Sequence, residues 1–192
     1  MSSRQEILLT GAGGQGLILA SIILAEAAVN DNKNVVQTQS YGPEARGGAS
    51  MAGVIIDVGT IEYPKVTKPT ILLSMNQASF NKYSPRIERG CLVIADSTYI
   101  RVHCAVEYEV LFFPITRAAR EVLGWEVVAN MVALGVVNAA ARLLDREIFR
   151  ECIFKHAPMG SGELNQRAFD LGYQLFEQGP ARTFGLSTQS PC

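Results

Sequence analysis

The sequence predicts an α/β fold: a Rossmann-like, mostly parallel sheet covered by helices on both faces, with a helical C-terminal third. Three observations predict it. Short apolar strands alternate with helix-length segments as far as residue 123. A glycine-rich turn, Gly11-Ala12-Gly13-Gly14-Gln15-Gly16, joins the first strand to the first helix. Beyond residue 130 the apolar positions keep a helical period to residue 178. A chain of 192 residues that is 48% hydrophobic and 18% charged suits one domain, read as residues 1–180, followed by a polar tail at 181–192.

The elements follow in order. Residues 4–10 read as a strand with a buried Ile-Leu-Leu run, 17–30 as a helix, and 34–40 as a second strand. Alternation at Ser50, Ala52, Val54 and Ile56 marks a third strand, and Asp57-Val58-Gly59 a turn after which Ile61-Glu62-Tyr63 pairs back as a hairpin arm. Residues 70–74 and 91–95 read as short buried strands with a helix at 77–83 between them, and 107–113 as a further strand. Thr116 is expected to cap a helix reaching Leu123. Helices are expected at 130–144, 147–155 and 163–178, the last stopped by Gly179-Pro180.

Two of these helices, 17–29 and 131–141, are apolar nearly all the way round. A helix lying on a sheet usually keeps a solvated side. Deep burial within the fold and burial against another subunit both account for them.

Gly11, Gly13 and Gly16 match the G-x-G-x-x-G spacing, in which backbone N–H groups at a helix start favour an anion. Gly11, Gly13, Gly14, Gln15 and Gly16 are therefore the expected anion-facing residues. A nicotinamide site also needs Asp or Glu about 20 residues further on, at the end of the second strand. That strand ends in Gln37-Thr38-Gln39-Ser40, which disfavours NAD. A second loop follows it: Tyr41-Gly42-Pro43-Glu44-Ala45-Arg46-Gly47-Gly48 puts a ring, a carboxylate and a guanidinium between glycines. Arg46 can grip a phosphate or carboxylate, or close an ion pair with Glu44 inside the loop. Both loops are expected at the carboxyl ends of adjacent strands, where open α/β sheets bind ligands.

Composition narrows the rest. A net charge of −1 gives no electrostatic case for nucleic acid. The N-terminus shows no secretory apolar region, and no apolar run reaches the roughly 18 residues of a membrane span. A soluble cytoplasmic protein is the expectation. Cys91, Cys104, Cys152 and Cys192 form no C-x-x-C pair, and His103 and His156 have no ligand-like spacing. No metal site and no catalytic residue is expected from this chain.

At Gly11 to Gly16, at Ser40-Tyr41-Gly42-Pro43-Glu44-Ala45-Arg46-Gly47-Gly48, at Asn130-Met131-Val132-Ala133-Leu134-Gly135 and at residues 165–173, the sequence resembles the gamma subunits of 2-oxoacid:ferredoxin oxidoreductases. The resemblance spans residues 5–178. It is nearest to the separate gamma chain of 2-oxoglutarate-type enzymes, with the beta subunit of indolepyruvate oxidoreductase a near relative. It implies oxidative decarboxylation of a 2-oxoacid with coenzyme A, giving acyl-CoA, CO2 and reduced ferredoxin. It also implies that thiamine diphosphate, magnesium and iron–sulfur clusters sit on partners: alpha and beta subunits and a ferredoxin-like delta subunit. This chain would bind no cofactor alone and would supply scaffold and part of the coenzyme A surface. Carried over, Tyr41, Glu44 and Arg46 shape the active-site side of the subunit junction. Asn130 and Asn165 match family positions without an assigned chemistry, and helix capping is the expected role of Asn130. The reading from a different class is a freestanding nucleotide-binding protein using the same glycine loop.

Overall fold

The computed structural model describes residues 4–40, 49–101 and 108–184. Tyr41, Glu44 and Arg46 lie outside the described residues, as do His103, Cys104 and Cys192. Among the described residues, seven strands form one sheet: β1 (Gln5–Ala12), β2 (Asn34–Ser40), β3 (Ala49–Asp57), β4 (Ile71–Ser74), β5 (Leu92–Asp96), β6 (Val110–Phe113) and β7 (Arg182–Phe184). Six helices accompany them: α1 (Leu17–Asn30), α2 (Gln77–Tyr83), α3 (Ile115–Leu123), α4 (Ala129–Ala141), α5 (Arg146–His156) and α6 (Gly162–Gln178).

The strand order is β2-β3-β1-β4-β5-β6-β7. β1, β4, β5 and β6 run parallel, as alternation of strand and helix predicts, but β2, β3 and β7 are joined by antiparallel ladders, so the whole sheet is mixed. Only eight residues separate β2 from β3, fewer than the dozen or more that a parallel crossover takes. As a result β3, not β2, lies beside β1. Ser40 pairs with Met51, and Met51 with Thr10. The end of β2 is thus two inter-strand spacings from β1, roughly 9.5 Å. The expectation that the two loops leave adjacent strands is corrected accordingly.

Side chains alternate between two cores. Ile7, Leu9, Val54, Ile71, Leu73 and Ile94 face the larger one, with α1 and α3 to α6. Leu8, Leu72, Val93, Ala95 and Phe112 face the smaller one, closed by Phe80 of α2 and by Ile100. Of the two all-apolar helices, α4 is internal: every residue from Ala129 to Asn138 is buried. It crosses α6 where Gly135 meets the backbone of Phe169 and Gly172 meets that of Val132, so neither position has room for a Cβ. α1 buries one side and leaves Ile22 and Val29 exposed.

Three local expectations change. Residues 60–69 form no strand, because the buried Glu6 carboxylate takes the amides of Thr67 (2.8 Å) and Lys68 (3.0 Å) and ties the segment down as a loop. Burial pushes the Glu6 carboxyl up, but the two amides and Arg4 outweigh it and hold it below the usual carboxylate range. Thr116 does not cap α3, whose N-cap is Pro114; its N–H and hydroxyl both donate to Asp96 at the end of β5. β7, a three-residue strand that begins just past Ala181, adds an edge strand that the expected polar tail from residue 181 did not include.

Candidate functional site

β1 sends its chain into α1 on one face of the sheet, and β4 sends its chain into α2 on the other. The crevice between the carboxyl ends of these two parallel neighbours is the topological switch point, where open α/β sheets receive ligands. The glycine turn sits in that crevice. Met75 N donates to Thr10 O (2.8 Å), and the Thr10 hydroxyl donates to Leu73 O (2.8 Å), so the two strand ends are locked together beneath it.

The glycines have different reasons to be there. Gly11 is buried at the strand end, and a Cβ would run into Gln15, Leu17 and Met75. Gly16 has φ +70° and lies under the Asn130 amide, whose Nδ2 donates to Gly16 O (3.1 Å). Gly13 is exposed, has no positive φ, and has nothing within 4 Å of where a Cβ would be. Nothing within the chain requires glycine at that position. Gly14, exposed beside it at φ +89°, turns the chain toward α1.

Gln15, expected to face an anion, spends its side chain inside the turn. Its Oε1 accepts from Ala12 N (2.7 Å) and its Nε2 donates to Met75 O (3.4 Å). The groups left for a ligand are backbone ones. No side chain caps α1 and no acid occupies its first turn, which leaves the first N–H groups of the helix open to an anion.

Asn130 is the residue that sequence reasoning misplaced. Val128 is the N-cap of α4; Asn130 sits two residues further in and fastens the glycine turn to α4, which lies on the same face of the sheet as α1. An isolated Asn near a helix start reads as a cap, and only the tertiary fold brings it 114 positions back to Gly16. Two cavities flank Gly14. The smaller, about 200 Å³, is lined by Gln15, Met75, Thr116 and Glu126. Glu126 accepts from Tyr99 Oη (2.7 Å), which raises the Tyr99 pKa, and its carboxylate disfavours an anion on that side. The larger, about 400 Å³, is walled by Leu19, Trp125, Val127, Val128, Pro158 and Leu164.

Among the described residues, no group of three or more His, Cys, Asp and Glu could hold a metal ion. Cys91 and Cys152 are both buried. Burial pushes the Cys91 thiol up to about 12 and also raises that of Cys152, so neither offers a thiolate ligand at neutral pH. No described helix is long and apolar enough to cross a membrane.

The sequence model of the pyruvate ferredoxin/flavodoxin oxidoreductase family matches residues 6–175. The chain belongs to that family. It is 42% identical to the 2-oxoglutarate synthase subunit KorC of Methanocaldococcus jannaschii over 178 residues, covering 91% of this chain and 95% of the relative. The gamma subunit of a keto/oxoacid ferredoxin oxidoreductase from Geobacter sulfurreducens superposes with a TM-score of 0.84 at 38% identity, over 93% of this chain and 99% of that one. The same fold recurs, at 19% identity and a TM-score of 0.83, within a third (33%) of a chain of the 2-oxoglutarate:ferredoxin oxidoreductase from Magnetococcus marinus. The chain is thus a gamma-type subunit of a 2-oxoacid:ferredoxin oxidoreductase.

Proposed function

We propose that this subunit serves a complex that oxidises 2-oxoglutarate with coenzyme A to succinyl-CoA and CO2, passing two electrons to ferredoxin, and that its glycine turn forms part of the coenzyme A surface. Gly13 carries the reading for the turn. Its open surroundings have no reason in the fold, and a missing side chain there lets a phosphate reach the N–H groups of the turn. The 2-oxoglutarate assignment is supported by the KorC relative, and coenzyme A by the Magnetococcus marinus enzyme, whose structure has 2-oxoglutarate, coenzyme A and succinyl-CoA bound. Thiamine diphosphate, magnesium and the clusters belong in this reading to alpha, beta and a ferredoxin-like delta partner. Tyr41, Glu44 and Arg46 are assigned to the active-site side of the subunit junction on the family resemblance.

A freestanding dinucleotide enzyme has less support. An ordinary nicotinamide site places its ribose-binding acid on the strand next to β1 in parallel. Here an antiparallel β3 holds that place, and β2 ends in Gln39 and Ser40.

The test is calorimetry on the reconstituted complex. Coenzyme A should bind and NAD should not, and Gly13→Val should weaken coenzyme A. Unchanged affinity in a folded Gly13→Val complex removes the turn from the site. Turnover with 2-oxoglutarate, pyruvate and 2-ketoisovalerate decides the substrate, and a preference for either of the last two overturns that part. Arg46→Ala should lower turnover more than it lowers the stability of the subunit; wild-type kinetics would make the second loop structural.

A further inference from the structure

We infer that the outer edge of β2, with the flank of α1 above it, is a two-fold interface between two copies of this chain, the two β2 strands pairing antiparallel so that the sheet continues from one copy into the other. The inference concerns how the subunit associates and is independent of the coenzyme A reading.

Among the described residues the sheet ends in β7 on one side and β2 on the other, and the two edges are made differently. β7 is three residues long and opens on Arg182, a short, charged edge of the kind that resists pairing. β2 runs for seven residues, Asn34-Val35-Val36-Gln37-Thr38-Gln39-Ser40, with no proline and no charge to guard it. The charges just before it, Asp31 and Lys33, are spent on each other at 2.8 Å. Alternate residues of such an edge hold out N–H and C=O groups that one more strand would satisfy. α1 adds an apolar stripe on the same side. Ile18, Ile22, Ala25 and Val29 recur at helical spacing and none is fully buried, with Ile22 39% and Val29 57% exposed. The other flank of the helix is taken, since Glu26 is gripped by Lys155 and His156 of α5 and Asn30 reaches Cys152. Ser21, next to the stripe around the helix, accepts from Gln37 Nε2 (2.9 Å), so the stripe overlooks the open edge.

Symmetry, spacing and charge select a second copy as the occupant. A two-fold axis through Gln37, the middle of β2, sets Val36 against Thr38 of the second copy, Val35 against Gln39 and Asn34 against Ser40, with no charge anywhere in the ladder. The same axis places the two α1 helices antiparallel on one face of the joined sheet with their stripes facing. α1 lies over β2 and β3, so with strands about 4.8 Å apart the two helix axes fall roughly 10 Å apart, the ordinary spacing of packed helices. An uncharged surface offers nothing to steer a partner of opposite charge, whereas an isologous pair meets only its own uncharged surface and needs no such steering.

The experiment uses the full chain, purified alone, by analytical ultracentrifugation and hydrogen exchange. Wild type should sediment as a dimer at micromolar concentration, with amides of β2 exchanging more slowly as concentration rises. Ile22→Glu, an exposed position near the axis, should weaken the dimer at least about tenfold by setting two carboxylates against each other, while the variant keeps the wild-type circular dichroism. Ile22→Lys should do the same, and a mixture of the two variants should associate again, because a two-fold contact brings position 22 of one copy against position 22 of the other. A wild-type monomer overturns the inference, and β2 amides that slow only when the other subunits of the complex are added give the edge to one of them and overturn it too. So does a dimer that both variants leave intact, or one whose β2 amides exchange as freely as a monomer's, since either is built from another face. A mixture of the two variants that stays monomeric moves position 22 off the axis and overturns the arrangement. Association that grows past the dimer overturns the closed two-fold contact and leaves an edge that merely aggregates.

Discussion

Glycine meets crowding at the crossing of α4 and α6 and open space in the turn after β1, and the contrast separates packing from function. Where α4 crosses α6, Gly135 and Gly172 let two helix backbones touch, and an added Cβ would strike main chain. At the switch point, Gly13 faces empty space. A glycine pressed against backbone is explained by the fold around it. A glycine facing solvent on an ordinary backbone has no such explanation, and it leaves room for something that arrives from outside. Gly16 lies between the extremes, constrained by its own φ and by Asn130.

The largest effect is expected at the crossing. Gly135→Ala meets the Phe169 carbonyl, which belongs to a helix and cannot swing away, and should cost about 3 kcal/mol in urea unfolding. A loss below about 1 kcal/mol would mean that the helices part at little cost and that the contrast is not real. Next, Gly16→Ala forces a side chain into a left-handed backbone and into the Asn130 amide, and should cost about 2 kcal/mol. Adding Asn130→Ala should recover part of that loss by removing the collision but not the strain; strict additivity of the two would deny the contact.

A smaller effect tests how the crossing is held from outside. Burial raises the Asp170 carboxyl, but hydrogen bonds from Arg150 and Arg146 outweigh it and hold the folded pKa below 3.8. A depressed folded pKa contributes stability that is present above the unfolded value and lost as pH falls through the folded one. Unfolding free energy should therefore drop as pH goes below about 4, and Asp170→Asn should remove that part of the slope and about 1 kcal/mol at neutral pH. A variant with the wild-type acid profile would assign the slope to other carboxylates. The smallest effect on stability belongs to Gly13→Val, within about 0.5 kcal/mol of wild type by thermal unfolding, although it should weaken coenzyme A about tenfold or more in the complex. A marked loss of stability would show that Gly13 serves the fold after all.

Elements were more legible in the sequence than their neighbours. The bounds of α1, β2 and α2 follow from apolar period, a glycine turn before and polar residues after, all local signals. Strand order is not local. Nothing in the alternation of Ala52, Val54 and Ile56 says that β3 inserts beside β1, because a strand buried on both faces carries no mark of its partner. The hairpin arm at Ile61-Glu62-Tyr63 failed for a similar reason: its fate is set by Glu6, far back in the chain. In the site, the glycine turn was legible from its spacing, while the side-chain bonds of Gln15 and the place of Asn130 were not, because both depend on contacts made by folding. The larger cavity has no sequence signature, being assembled from the glycine turn and from the starts of α4 and α6 with the segments that precede them. The family resemblance, by contrast, was fully carried by the motifs and agrees with the family match across residues 6–175.

The place of α1 also bears on how the chain comes to be folded. Its 14 residues include only Ser21, Glu26 and Asn30 as polar side chains, and its cover comes from late in the sequence: α5 packs against it, Asn30 reaches Cys152, and Glu26 is gripped by Lys155 and His156. β1 beneath it likewise waits for β3 and β4. During synthesis, this sticky helix emerges more than a hundred residues before its partners in α5, and β1 emerges before either of the strands that flank it. Such distant pairings slow folding and leave apolar surface open to chaperones or to aggregation in the interval. α1 is made long before the helix that seals it.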